Sequence, residues 1–213
     1  MDGTLVRKDY VEHVWLEVIP VLYARENNID VEKAKRYILD EYAKVGEYAV
    51  EWYDIKYWLR KFDLDCDWED LLEDHIGMLG FYPEVNDVID RLGRNYELII
   101  ISNAAGEFIR VERKALNLDE KFDHIFSAVT DFGITKKNPE VYSSVCRILG
   151  VENDDIVHVG DSWEFDYISP SKAGIRAFYL DRDGSKEGNA PGSTVRNLKE
   201  LEDAVRNNQY FKH

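Results

Sequence analysis

Between positions 8 and 79 the apolar residues recur at intervals of three and four. Val11, Val14, Trp15, Val18, Leu22 and Tyr23 form one stripe, and Ala34, Ile38, Tyr42 and Val45 a second. Val50, Tyr53, Tyr57, Trp58 and Phe62 form a third, and Trp68, Leu71, Leu72, Ile76 and Leu79 a fourth. This spacing puts each set on one face of an α-helix, with polar residues on the other. Gly46 and Gly80 are the predicted stops. No strand pattern interrupts the region, which reads as a small helical bundle of its own. The aromatic run Trp52, Tyr53, Tyr57 and Trp58 reads as packing within it.

After Phe81-Tyr82-Pro83 the rhythm changes. A helix carrying Val85, Val88, Ile89 and Leu92 precedes an apolar run from Leu98 to Ile101, and another helix follows to Leu116. Then come a short strand from Ile125 to Val129, a helix through Val141, Val145 and Leu149, and a strand from Ile156 to Val159. A helix from Phe165 to Ala173, a strand from Ala177 to Leu180 and a last helix from Leu198 to Val205 complete the series. Strands alternating with helices predict an α/β unit whose parallel sheet is covered on both faces. In such sheets ligands bind beyond the carboxyl ends of the strands. Ser102, Asp131 and Asp161 each follow a predicted strand, so the candidate chemistry converges on one edge. Residues 183 to 194, rich in Gly and Ser, read as a loop.

The chain has 213 residues, of which 45% are hydrophobic, enough for one domain core carrying an insertion. Its formal net charge of −15 argues against a nucleic-acid groove or an anionic membrane surface as partner. The same charge would repel an anionic substrate unless a bound cation and local donors reverse the sign at the site. No apolar run approaches the ~18 residues of a membrane span, and the first residues do not resemble a signal peptide. The expectation is a cytoplasmic protein acting on a small molecule, with a homodimer left open. Cys66 and Cys146 show no paired-thiol or metal-ligand spacing and read as free thiols.

Four segments carry chemistry. In Asp2-Gly3-Thr4, glycine permits a sharp turn and the carboxylate can exchange a proton with a leaving oxygen. Ser102 and Asn103 open a helix after an apolar strand, where a hydroxyl and backbone amides can hold an anionic oxygen; a plain N-cap is the alternative. Lys136 and Lys137 lie in Gly133-Ile134-Thr135-Lys136-Lys137-Asn138-Pro139-Glu140-Val141-Tyr142. Gly160-Asp161-Ser162 with Asp166 places two carboxylates on a tight loop, which suits a hard cation such as Mg²⁺. Glu164 reads as an exposed helix charge, and His158 as a core residue.

Taken in order, these segments resemble the four motifs of the haloacid dehalogenase-like (HAD) superfamily. The resemblance covers residues 1 to about 182. It implies a Rossmann-like parallel sheet with an inserted all-helical cap, the core comprising residues 1–6 and 81–213 and the cap residues 7–80. By resemblance Asp2 is the general acid and base, and its backbone carbonyl a metal ligand. Ser102 and Asn103 then bind the substrate phosphate. Asp161 is a direct ligand of Mg²⁺, and Asp166 binds the metal or orients its shell. Lys136 matches the lysine that neutralises phosphate and nucleophile; Lys137 replaces the proline that usually follows, and the spacing to Pro139 and Tyr142 favours Lys136. The second Asp of the first motif separates phosphate-handling members from haloacid dehalogenases, so Asp2 implies a phosphatase acting on a small phosphorylated metabolite. A phosphomutase and a non-catalytic binding relic are the alternatives.

The family's first motif reads Asp-x-Asp-Gly-Thr, and its first Asp is the nucleophile. Met1 occupies the x position. The strand before that motif is central in the family's sheet, and without it two neighbours would stand roughly 9.6 Å apart instead of about 4.8 Å. The resemblance leaves three readings: an internal start with the natural chain beginning upstream, a gap filled by another segment, or a relic that only binds. A chain starting at Met1 is expected to form no acyl-phosphate intermediate.

Overall fold

The fold is that of a computed structural model, which describes residues 1–184 and 190–207. Its first long segment is helical, as the stripes predict. Helices α1 (Asp9–His13) and α2 (Ile19–Asn27) run on through a wide π turn, Val14–Val18. The wide turn comes just ahead of Pro20, which has no N–H to donate and whose ring crowds the preceding turn. Helix α3 (Val31–Val45) starts at Asp30, whose carboxylate accepts from the amides of Glu32 and Lys33, and stops at Gly46. The third stripe divides into a 3₁₀ turn, Val50–Trp52, and α4 (Ile55–Lys61), because the Asp54 side chain accepts from the Tyr57 amide and starts a new helix. The fourth gives α5 (Trp68–Glu73), capped by Asp67, and a 3₁₀ turn, Ile76–Met78.

The apolar faces of these helices share one core containing Tyr10, Val14, Ile38, Ile55, Trp58 and Leu72, together with Phe108 and Val111 from the α/β part. Burying each of the larger side chains contributes about 1.5–3 kcal/mol. Phe108 and Val111 belong to α7 (Gly106–Ala115), whose other residues pair across the same contact. Glu107 meets Lys56, Arg110 meets Glu69 at 2.8 Å and Lys114 meets Glu73 at 2.5 Å. One helix therefore joins the helical insertion to the α/β part by both apolar and charged contacts.

In the α/β part, α6 (Val85–Leu92) leads to β1 (Ile99–Ser102), which is followed by α7, β2 (His124–Ser127), α8 (Ala128–Phe132), α9 (Pro139–Leu149) and β3 (Val157–Gly160). A π turn, Trp163–Ile168, continues into α10 (Ser169–Lys172), before β4 (Arg176–Leu180), β5 (Thr194–Val195) and α11 (Leu198–Asn207). The strands are all parallel but form two sheets, β1-β2 and β3-β4-β5. Among the described residues no ladder joins β1 to β3.

Three details depart from the sequence pattern. Strand β2 ends at Ser127, because the Ser127 hydroxyl accepts from the Thr130 amide and begins α8. Asp131 therefore lies within a helix, where its carboxylate accepts from the Ser127 amide at 2.7 Å, and not at a strand end. The segment 183–194, read as loop, contributes β5 at its far end, and residues 185–189 of that loop lie outside the described residues. Cys66 is exposed, Cys146 buried, and both are free. No helix among the described residues is long and apolar enough to cross a membrane.

Candidate active site

Residues 1–6 form a tight turn in which the amides of Thr4, Leu5 and Val6 all point to the Met1 carbonyl, at 3.1, 2.8 and 3.2 Å. Gly3 closes it with φ +78°. A Cβ at Gly3 would lie 2.3 Å from Asp161 Oδ2, so only glycine lets this turn press against the loop after β3. Across that contact the Thr4 hydroxyl donates to Asp161 Oδ1 at 2.9 Å, and Lys8 Nζ meets Asp161 Oδ2 at 2.9 Å. Arg182 holds the turn from behind. Its guanidinium donates to the Thr4 carbonyl and to Glu84, each at 2.7 Å, and stacks on the Tyr82 ring at 3.8 Å.

Asp2 Oδ1 is sealed from solvent with no hydrogen-bond partner. Burial, the main cause, and the nearby Asp161 carboxylate push its carboxyl up from the ordinary value. Such a group holds a proton more readily than a surface aspartate. Behind it, on α7, Glu112 is fully buried with both carboxylate oxygens unpartnered. Burial first and Asp2 second hold its carboxyl well above the usual range.

Ser102 ends β1, buried, with its hydroxyl accepting from the Ala104 amide at 3.1 Å. Asn103 Oδ1 accepts from the Lys137 amide at 2.9 Å, tying the β1 loop to the lysine segment. The two lysines then diverge. Lys137 Nζ turns inward, donating to the Ile101 carbonyl at 3.2 Å and pairing with Asp166 Oδ1; its side chain is 6% exposed. Lys136 turns outward to Glu47 of the helical insertion, 2.6 Å away, and lies over the rings of Phe165 and Tyr48. The inner lysine is thus Lys137, in the position the motif gives to proline, and the outer one is Lys136. The Asn103 contact fixes the backbone at Lys137, next to the bend at Thr135 and Lys136.

Asp166 is likewise engaged by protein groups on both of its oxygens. Oδ1 accepts from Lys137 and lies 3.0 Å from His158 Nε2, while Oδ2 accepts from the Ser162 amide at 3.0 Å. Burial alone would raise its carboxyl, but the Lys137 ammonium and His158 more than offset that and hold it far below the usual carboxylate range. His158 itself is pushed down by burial. Asp166 therefore orients the Asp161-Ser162 loop, and the three aspartates Asp2, Asp161 and Asp166 are not gathered into one cluster; no such group of three ligating side chains occurs among the described residues.

A family model for haloacid dehalogenase-like hydrolases matches residues 1–174. The chain belongs to that family. The GMP/IMP nucleotidase YrfG of Escherichia coli (strain K12) is 24% identical over 170 residues, spanning 76% of this chain and 72% of that protein. The (S)-2-haloacid dehalogenase 4A of Burkholderia cepacia is 29% identical over 108 residues, spanning 50% of this chain and 46% of that protein. A crystal structure of a HAD phosphatase from Thermococcus onnurineus superposes with a TM-score of 0.85 at 26% identity, covering 96% of this chain and 94% of that one. The haloacid dehalogenase-like fold, a parallel α/β core with a helical cap, is thus established for this hydrolase.

The donor set of this family member fits a hard cation at one place. The Asp161 carboxylate is part-exposed, its charge disfavours ionisation of the neighbouring Asp2 carboxyl, and a hard cation could sit beside it. Four residues that shape the site escaped sequence reasoning: Lys8, Glu112, Arg182 and Glu84. Only Glu112 left a signal. It falls on the same helical face as the buried Phe108 and Ile109, where an acid is out of place.

Proposed function

We propose that this hydrolase is a Mg²⁺-dependent phosphatase of small phosphorylated metabolites. The observation that carries the reading is the Asp2 carboxyl, whose Oδ1 is sealed from solvent without a hydrogen-bond partner and which is biased toward its protonated form, beside Asp161. That is the state required of an acid that protonates a leaving oxygen and then accepts a proton from water. By the family resemblance the nucleophile is an Asp immediately ahead of Met1. Its attack on phosphorus breaks the ester bond, and the leaving oxygen takes the proton of Asp2. Asp2 then deprotonates the water that hydrolyses the acyl phosphate, which restores the carboxylate and releases inorganic phosphate.

Asp161 and the Asp2 carbonyl would hold the cation, which offsets charge on the phosphoryl oxygens. Ser102 and the amides after it receive the phosphoryl group at the end of β1. Asn103 fixes the lysine segment against that end. Lys136, whose partner Glu47 is half-exposed, is the lysine able to exchange its partner for a phosphate oxygen; Lys137 is held by Asp166.

The test is hydrolysis of p-nitrophenyl phosphate and of 2-chloropropionate by protein carrying an Asp ahead of Met1. Phosphate release that needs Mg²⁺ and stops in EDTA is the expected result. Turnover that persists in EDTA would remove the metal from the mechanism. Halide release in place of phosphate release would make the protein a dehalogenase, as its Burkholderia relative is named.

A further inference from the structure

Lys8 precedes α1 and folds its side chain back over the Gly3 turn, so closely that a Cβ at Gly3 would lie 2.4 Å from its Cε. Its ammonium is 2.9 Å from Asp161 Oδ2, and the side chain is 52% exposed against 22% for Asp161. Tyr82 and Glu12 are its other charged or titratable neighbours. Both Asp161 oxygens are therefore engaged, Oδ1 by the Thr4 hydroxyl and Oδ2 by Lys8. The two partners differ in how they can leave. Thr4 is buried and part of the clamped turn, whereas Lys8 is on a flexible four-carbon stem open to water.

We propose that the Lys8 ammonium is a resident counter-ion of Asp161 that a divalent cation must displace, so that Lys8 sets the cation concentration at which the site fills. The inference rests on the reading of Asp161 as a metal ligand. The Asp161 side chain is only 22% exposed and its charge is felt at the Asp2 carboxyl, so an unpaired carboxylate there is costly. Lys8 relieves that cost at Oδ2. The same contact places a monovalent charge where a divalent one would bind, so filling the site means breaking an ion pair and holding two cations near each other. None of the four motif segments includes Lys8, so the residue is free to tune metal affinity without altering the chemistry.

Calorimetric titration of Mg²⁺ into the protein tests this directly, with no substrate present. Lys8→Met should bind Mg²⁺ roughly three- to tenfold more tightly than the parent, the size expected for removing one partly exposed ammonium from beside a dication. Lys8→Arg, which keeps the charge, should stay near the parent affinity, and Asp161→Asn should abolish binding in either background. Lys8→Gln, measured alongside, guards against a packing effect of Met; it too should tighten binding. Unchanged or weaker affinity in both Lys8→Met and Lys8→Gln overturns the proposal and leaves the metal role of Asp161 standing. Absence of Mg²⁺ binding in all variants overturns both.

Discussion

Lys137 and Asp166 form a buried ion pair, and the pair links two sheets that no backbone ladder joins among the described residues. Lys137 Nζ also donates to the Ile101 carbonyl on β1, while Asp166 lies against Gly160 of β3, where a Cβ would come within 2.3 Å of its carboxyl carbon. A carbonyl on the free edge of β1 thus obtains a donor from a side chain. The arrangement also leaves Asp166 committed to the loop that presents Asp161.

The two lysines are therefore expected to fail in different assays. Lys137→Met strands a buried carboxylate and should cost about 3–5 kcal/mol of stability in urea denaturation. Lys136→Met removes a pair whose Glu47 partner is half-exposed and should cost under about 1 kcal/mol, yet lower phosphate turnover far more than it lowers stability. Equal stability losses, or the reverse order, would show that the inner and outer positions are exchanged in solution.

Glu112 makes a pH prediction of unusual sign. Its folded-state pKa is raised above the ordinary 4.5, by burial first and Asp2 second. Above pH 4.5 the folded state therefore binds more protons than the unfolded one, and stability falls as pH rises until the folded value is passed. Asp2, shifted the same way, adds to the slope. Glu112→Gln cannot ionise, so its melting temperature relative to the parent should climb as pH goes from 4.5 to 8. A difference that stays flat or shrinks over that interval would mean that Glu112 ionises in the folded protein without penalty.

The pattern of apolar positions located nearly every helix and strand, because each is long enough to repeat its period. Strand β5 escaped because two residues carry no period, and the end of β2 because a serine cap cuts short an apolar run. The motifs named Asp2 and Asp161, and the turn that carries Asp2 does meet Asp161, through the Thr4 hydroxyl. They do not tell which way the side chains of Lys136 and Lys137 turn, because a motif counts positions and is blind to direction. Here direction depends on Asn103, which lies 34 residues from Lys137 in sequence. Lys8 and Arg182 left no trace because their partners, Asp161 and the Thr4 carbonyl, come from the opposite end of the chain.

The contact between α7 and the helical cap should depend on its apolar residues and hardly on its charges. Phe108 is 3% exposed and packs edge-on against Tyr10, so Phe108→Ala should cost about 3–5 kcal/mol. The pairs of Glu107, Arg110 and Lys114 are open to solvent for at least one partner each, and breaking any one should cost about 0.2–1 kcal/mol. Urea midpoints at low salt and at 1 M NaCl check this. A large salt-induced loss would assign the contact to the charges.

Gly3 meets two demands, and a second glycine separates them. Its φ is +78°, a region that costs a residue with a Cβ roughly 1–2 kcal/mol. Gly133 has φ +66° and nothing within 4 Å of the Cβ it lacks, so Gly133→Ala measures that backbone strain by itself. At Gly3 the added carbon would also meet Asp161 Oδ2 at 2.3 Å and Lys8 Cε at 2.4 Å. Lys8 can swing into solvent, but Asp161 is held by the Thr4 hydroxyl on one side and by the Ser162 loop on the other. Relief must therefore come from moving the turn away from β3, which separates Asp2 from Asp161. Gly3→Ala should destabilise the protein clearly more than Gly133→Ala and should also lose Mg²⁺ affinity in calorimetry, whereas Gly133→Ala should keep it. Equal stability losses with metal affinity retained in both variants would show that the close approach of the turn to Asp161 does not hold the site together.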